Sequence, residues 1–388
     1  MKKPRIIRLT TVPISLSKLL HGQLQFINNN GFEVLAVSSP GNYLDAVSVD
    51  EGVKTKPIVM TRLISPIRDM ISIVRFYFLC KKFRPDIVHS HTPKAGLIGM
   101  LGAKLAGVPI RLHTVAGLPL MEEIGFKRFI LEVIEKIIYS SATMIYPNSK
   151  GLYDYIAKKR FVKVEKLKVL ANGSSNGIDT DYFKIELISE YQRENLRNNL
   201  MINPGDFVFV FVGRLVKDKG INELVLVFSE ISKMNSEVKL LLVGQFEDDL
   251  DGLDIIVKNE ISSNQKIIHV GFQNDVRPYF AISDCLVFPS YREGFPNVVM
   301  QAGAMGLPSV VTNINGSNEI VIDNKNGIII PPKSISNLKN AMLRILEDSH
   351  LKNQLSLNAR NMIVSRFNQN YIWNEILNEY NYFLKNLN

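Results

Sequence analysis

The sequence predicts an α/β protein built from two doubly wound parallel domains in tandem, and three observations carry that prediction. Apolar, strand-like runs alternate with amphipathic helical segments along most of the chain, as in a parallel sheet whose crossovers are helices. One polar, glycine-bearing interval, ANGSSNGIDTD at residues 171–181, interrupts the alternation and has no hydrophobic periodicity of its own. At 388 residues the chain exceeds what one hydrophobic core supports, and each half is long enough to bury its own.

Taken in order, residues 6–9 read as a first strand, followed by a turn at 10–17, an amphipathic segment at 18–28 that stops at Asn29-Asn30-Gly31, and a second strand at 33–38. A helix over 67–83 ends at Arg84-Pro85 and precedes a strand at 86–89. Helix 94–105 closes at Ala106-Gly107 before a strand at 109–113, and helix 127–140, strand 143–147 and helix 150–158 complete the first domain. Beyond the polar interval the alternation restarts with strand 207–212, helix 220–233, and strands 239–243 and 266–270. Strand 286–288 then leads through Pro289, Ser290 and Gly294 into a helix that opens at Pro296-Asn297 and runs to Met305. Strands 309–311 and 327–330 follow, then helices 336–346 and 350–366 and a last apolar-periodic helix, 368–387, holding the only tryptophan, Trp373. No short internal repeat and no low-complexity tract interrupts this plan.

Composition narrows the class. No apolar run approaches the ~18 residues of a membrane span, and the N-terminal MKKPRIIRLTTVPIS mixes polar and apolar residues as a strand does, unlike a signal peptide. Cys80 and Cys285 stand far apart within apolar segments, which reads as buried thiols in a reducing cytoplasm rather than a disulfide or metal ligands. The net charge of +9, concentrated at 75–84 and 158–168, reads as nucleic acid, an anionic membrane surface or an anionic substrate; no nucleic-acid motif is present, so a membrane surface ranks above nucleic acid, beside an ordinary solvated face.

Two stretches carry chemistry. In GRLVKDKG, a strand ends at Gly213, Arg214 follows at its C-terminal edge and Lys219-Gly220 opens a helix; phosphates bind at such helix ends, and a guanidinium fork with an ammonium suits a diphosphate. In DCLVFPSYREGFPNVVMQAGAMGLP, residues 284–308, Glu293 sits ahead of a helix N-terminus and Gln301 lies one turn past Asn297 on the same face, a place for a ligand bearing both phosphates and hydroxyls.

Together with LLLVG at 240–244, IIHVGFQNDVRPYFAISDCLVFPS at 267–290, RPDIVHSHTPKAG and RLHTVAGLP, these stretches resemble, in order, the retaining glycosyltransferases of family four, and most resemble bacterial members that build lipopolysaccharide, capsule and related surface polysaccharides. The resemblance covers nearly the whole chain. It implies two Rossmann-like domains facing across a cleft: an acceptor-binding domain at 1–175, a nucleotide-sugar-binding domain at 176–367, and a helix at 368–388 that packs back on the first domain.

The resemblance also assigns roles. The family pairs one glutamate with a second further along; Glu293 matches the first, which contacts donor-sugar hydroxyls, and Gln301 stands where the second, the ribose ligand, is expected. Gln301 still accepts and donates but loses charge assistance, which touches nucleotide choice more than catalysis. Arg214 and Lys219 match the diphosphate clamp, with Gly213, Phe272, Gly294, Phe295, Pro296 and Asn297 completing the donor site. No metal is then needed, and no DxD-type carboxylate pair is present in the expected context.

His113 has two readings, contact with sugar or acceptor, or a hydrogen-bonded strand-end residue; His91 lines the acceptor side or is structural, and Lys94 neutralises an acceptor phosphate or is a solvated first-turn residue. The implied reaction is retaining, metal-independent hexosyl transfer from a nucleotide sugar, UDP-linked by preference, to a polyprenyl-diphosphate-linked saccharide. The implied location is the cytoplasmic face of the bacterial plasma membrane. A nucleotide-sugar epimerase on the same scaffold and a non-catalytic sugar-nucleotide-binding partner are the alternatives.

Overall fold

A computed structural model describes residues 3–61, 65–121 and 123–387. The chain forms two compact units, one of residues 1–177 joined by 369–388 and one of residues 178–368.

The first unit is a six-stranded sheet in the order β3-β2-β1-β4-β5-β6, with every pairing parallel. Its elements are β1 (Arg5–Leu9), α1 (Gln23–Asn29), β2 (Glu33–Ser38), α2 (Asn42–Asp50), β3 (Lys54–Pro57), α3 (Pro66–Phe83), β4 (Ile87–His91), α4 (Pro93–Ala106), β5 (Ile110–Val115), α5 (Gly125–Ser141), β6 (Met144–Pro147) and α6 (Lys150–Lys158). Buried side chains of β1, β4 and β5 alternate between two cores. Ile7, Leu9 and Val88 pack under α3, α4, α5 and α6, while Ile6, Ile87 and Leu112 pack against α1 and α2.

The C-terminal helix, Gln369–Lys385, lies on this second face, burying Ile372, Ile376 and Tyr380. Polar groups fix its register. Tyr380 Oη accepts from the buried Arg8 at 2.9 Å, Glu379 pairs with Lys168 at 2.5 Å, and Trp373 Nε1 donates to Asn176 Oδ1 at 2.6 Å.

The predicted helix at 18–28 is in fact two pieces, a π-helical turn at Ser15–Leu19 and α1, separated at Gly22. The Trp373 ring lies so near Gly22 that a Cβ there would stand 2.6 Å from it. Helix α2 and edge strand β3 were outside the prediction: β3 reads KTKP, mostly exposed, with no apolar alternation to betray it.

The second unit repeats the topology. Its sheet runs β12-β11-β10-β7-β8-β9, again all parallel. It comprises α7 (Glu190–Asn199), β7 (Phe207–Val212), α8 (Ile221–Met234), β8 (Val238–Val243), α9 (Asp248–Asp251), α10 (Ile255–Ser263), β9 (Ile267–His269), α11 (Arg277–Ala281), β10 (Cys285–Phe288), α12 (Asn297–Ala304), β11 (Ser309–Thr312), α13 (Ser317–Ile320), β12 (Gly327–Ile330), α14 (Ile335–Glu347) and α15 (Ser349–Phe367). β7, FVFVFV, and β10, CLVF, are buried on both faces and form the centre of one core. Among the described residues no helix is long and apolar enough to cross a membrane. Both cysteines are unbridged and buried, and burial pushes the Cys80 thiol up to about 12.

Candidate active site

In the second sheet the chain winds one way from β7 and the other way from β10, so the loops after these adjacent strands flank the topological switch point. The loop at 213–220 leaves β7 and the loop at 289–296 leaves β10. They are laced together. Tyr291 N donates to Asp218 O at 2.8 Å, Arg292 Nε donates to Asp218 Oδ2 at 2.9 Å, and Lys219 Nζ donates to Glu293 Oε1 at 2.5 Å.

Two glycines make this approach possible. Gly220 has φ +71°, and a Cβ on it would stand 2.3 Å from the Pro289 carbonyl oxygen, so any other residue would wedge the loops apart. Gly316 lets the turn before α13 close on the other side of the Glu293 loop, where the neighbouring Asn315 Nδ2 donates to the Gly294 carbonyl at 2.8 Å.

Glu293 is therefore a positioned carboxylate. Its Oε1 accepts from Lys219 and, at 2.9 Å, from Ser290 Oγ, which leaves Oε2 as the oxygen with capacity for a ligand. Lys219 and Glu293 have side chains 13% and 16% exposed, shielded enough for their attraction to hold geometry. The Phe288 ring, stacked on Phe211, lies 6.0 Å from Lys219 Nζ and forms an apolar floor. Arg214 stands at the end of β7 with its guanidinium held by Glu247 at 3.0 Å, and both are open to solvent. Ser290, Asn315 and Glu247 escaped the sequence reading. Ser290 could have been suspected from its place directly beyond β10, whereas nothing local marks Glu247 as the partner of Arg214.

Gly213, Arg214, Lys219, Glu293 and Gly294 thus belong to one pair of loops. Pro296 is the N-cap of α12, Asn297 is its exposed first residue, and Gln301 lies half-buried one turn on. Phe272 is exposed in the loop after β9. Phe295 is half-buried, its ring packed edge-on against Phe367 of α15 with centroids 5.4 Å apart, which anchors the loop.

Of the two readings open for each histidine of the first unit, the geometry fits the structural one. His113 is 2% exposed, with Nδ1 bonded to Ser90 Oγ at 2.8 Å and its ring filling the space that a Cβ on Gly96 would need, so it has no surface to offer a sugar or acceptor. Burial pushes its pKa down to about 4. His91 is equally buried and accepts at Nε2 from Arg8 at 2.8 Å, a role that requires the neutral ring because Arg8 can only donate. Beside it His89 bridges Tyr380 Oη and Thr114 Oγ1, and burial holds both rings well below the usual histidine range. Lys94 borders a cavity of about 450 Å³ between α4 and α5, but its charge is already answered by Asp69 at 2.6 Å, with both side chains 11% exposed. Among the described residues no three His, Cys, Asp or Glu side chains gather as a metal site would require.

Two tandem Rossmann-like units, with a cationic loop and a positioned carboxylate at the switch point of the second, define the B-type glycosyltransferase architecture. Comparison with known proteins agrees. The family model "Glycosyl transferases group 1" matches residues 192–362, and "Glycosyl transferase 4-like domain" matches residues 23–173. The chain is 34% identical over 389 residues to the capsular polysaccharide biosynthesis glycosyltransferase CapM of Staphylococcus aureus, covering 99% of each. It is 32% identical over 319 residues to the UDP-Gal:alpha-D-GlcNAc-diphosphoundecaprenol alpha-1,3-galactosyltransferase of Escherichia coli, covering 80% of this chain and 78% of that one. Among solved structures, a glycosyltransferase from Rickettsia africae superposes with TM-score 0.78 at 20% identity over the whole of both chains. Anabaena HepE, solved with UDP, superposes with TM-score 0.78 at 18% identity over 97% of this chain and 99% of its own. The chain belongs to the family-four glycosyltransferases, and it is a glycosyltransferase.

Proposed function

We propose that the protein transfers a hexosyl group, with retention of anomeric configuration, from a uridine diphosphate sugar to a polyprenyl-diphosphate-linked saccharide during bacterial surface-polysaccharide synthesis. It would do so as a peripheral protein on the cytoplasmic face of the membrane. The donor is assigned to the second unit and the acceptor to the first. The observation that carries the donor assignment is the Lys219–Glu293 pair, 2.5 Å across two loops at the switch point, because it sets a cation for a phosphate beside a carboxylate for a sugar hydroxyl. The relatives' names support the donor and acceptor classes, since one acts from UDP-Gal on a diphosphoundecaprenol-linked sugar and another serves capsule synthesis.

In this reading the diphosphate displaces Glu247 from Arg214 and takes both Arg214 and Lys219. As the glycosidic C–O bond breaks, charge grows on the leaving phosphate, and these two cations stabilise it more in the transition state than in the ground state. The sugar becomes oxocarbenium-like. The acceptor hydroxyl attacks from the face the diphosphate leaves and gives its proton to a phosphate oxygen, which retains the configuration. Glu293 Oε2 accepts from donor-sugar hydroxyls and fixes the ring, and Gln301 bonds the ribose diol. Positive charge from Arg214 and Lys219 fills the role a divalent cation plays elsewhere, so we propose transfer without metal.

The test supplies purified protein with a panel of nucleotide sugars and a short-chain polyprenyl-diphosphate saccharide, with and without a chelator. Transfer from a UDP sugar with retained configuration is the expected result. Folded protein that transfers from no donor overturns the proposal, and conversion of the nucleotide sugar without acceptor makes it an epimerase.

A further inference from the structure

Helices α3, α4 and α5 form one layer over the first sheet, sharing a core made by Ile73, Phe76, Ile98, Ala103 and Ile138. The outward sides of α3 and α5 are not what a solvated helix shows. On α3, Ile67, Met70, Ile71, Val74 and Phe78 are all exposed, Ile67 by 79% and Phe78 by 64%. On α5, Phe126 (77%), Phe129 (61%), Val133 and Ile137 are exposed, and Ile124 just before the helix is 84% exposed. These positions recur every three or four residues, so each helix carries a second apolar stripe opposite the one that packs on the sheet. The first half of α5 buries no residue at all; its buried positions begin at Glu135. Scattered exposed apolar side chains are ordinary, but stripes of large ones on both helices that flank α4 mark a surface with a partner.

The charge around the stripes decides which partner. Arg68, Arg75, Lys81, Lys82 and Arg84 are exposed along and just beyond α3, and Lys136 along α5, while Lys127 is paired with Glu123 at 2.6 Å. The acids interleaved with them are spent internally. Asp69 pairs with Lys94, Glu132 with Arg128, and Glu135 is buried, its carboxyl pushed up to about 7. The face is thus apolar with a positive border. A second copy of the chain meeting this face across a two-fold axis would oppose like charges. An anionic lipid surface accepts both features, with apolar side chains entering the acyl boundary and Lys and Arg staying among the headgroups.

We propose that the α3–α5 face of the first unit is the membrane-docking surface of this protein and that its partner is an anionic bilayer. The two apolar stripes insert shallowly, and the basic residues select acidic headgroups. This rests on the peripheral membrane location proposed above and assigns it to one face, and it is tested apart from catalysis because docking requires neither donor nor acceptor.

The experiment measures flotation of the full chain with acceptor-free vesicles of phosphatidylcholine alone and of phosphatidylcholine mixed with phosphatidylglycerol. Three variants accompany it: Phe126→Ser with Phe129→Ser, Ile67→Ser with Phe78→Ser, and Arg75→Glu with Lys82→Glu. The wild type should bind the mixed vesicles and weaken with salt, and each double variant should lower its partitioning by at least about tenfold. Because the altered side chains are solvent-exposed, circular dichroism should be unchanged. Wild-type protein that ignores acidic vesicles, or variants that bind them as the wild type does, overturns the proposal. A dimer seen by light scattering and abolished by the phenylalanine variants would assign the face to a second copy instead. Once a donor is known, the same variants should transfer normally to a water-soluble acceptor and lose transfer to a vesicle-embedded one.

Discussion

Replacing Glu293 by glutamine separates sugar positioning from diphosphate binding. The substitution keeps the shape of the side chain and removes its charge, so Lys219 Nζ, now 2.5 Å from Oε1, loses its ionic partner while Ser290 Oγ can still donate to the amide oxygen. Two charge-assisted bonds weaken, the one that orients Glu293 and the one from Oε2 to the sugar. At roughly 1.5–3 kcal/mol for a bond to a charged group and about half that for a neutral one, the combined loss is about 2 kcal/mol. If felt only in the transition state, that lowers kcat/KM by roughly 30-fold. UDP affinity should hold or rise, because Lys219 is released to serve the phosphates alone. Calorimetry with UDP and steady-state transfer kinetics on one preparation read the two effects separately. Glu293→Ala, which also removes the acceptor for Ser290, should nearly abolish transfer. Transfer by Glu293→Gln within about threefold of wild type, or UDP affinity that falls in step with kcat, would refute the sugar-positioning role of Glu293.

Gln301→Glu should keep kcat and shift donor KM by up to about fivefold, since a carboxylate strengthens bonds to the ribose by roughly 1 kcal/mol or less; a collapse of kcat larger than that of Glu293→Ala would reverse the two roles. Gly220→Ala places a methyl group 2.3 Å from the Pro289 oxygen at φ +71°, so UDP binding should drop together with at least about 1 kcal/mol of stability, read by thermal shift with and without nucleotide. Unchanged UDP binding would show that the two loops need not touch. Stability should fall as pH drops below about 6.5: the unfolded chain then binds protons that the buried His89, His91 and His113 refuse. His113 alone, lowered from 6.5 to about 4, withdraws about 3 kcal/mol by pH 4. Glu135, its buried carboxyl pushed up to about 7, works in the opposite sense by about 2 kcal/mol between pH 7 and 5, so the readout is a comparison: His113→Asn should flatten the loss of urea midpoint from pH 7 to 5, and an unchanged slope would contradict a neutral, buried His113 ring.

The donor loops were largely legible because their signals are local. A strand end followed by Arg214, a helix opened at Lys219-Gly220, and breakers around Glu293 ahead of a helix all announce themselves in consecutive residues. The histidines were not. His113 and His91 occupy strand ends in sequence, the usual place for ligand contact, but α4 closes over one and Arg8 with Tyr380 over the other, and both coverings come from residues remote in the chain. The break at Gly22 has the same origin, since the Trp373 ring that lies against it arrives from the C-terminal helix.

By itself, then, the sequence determined the two-fold repetition of a parallel α/β plan, the strand-end loops that carry charge, and the family to which the chain belongs. These follow from short-range periodicity and turn chemistry, which neighbouring residues specify without help. Only the tertiary structure decided which polar groups meet and which are covered. It paired Lys219 with Glu293 and Arg214 with Glu247, withdrew three histidines into the interior, and left the outer stripes of α3 and α5 in water. Pairing and burial depend on what the rest of the chain brings to a surface, and a helix periodic on both sides reads alike in sequence whether one stripe or both are covered.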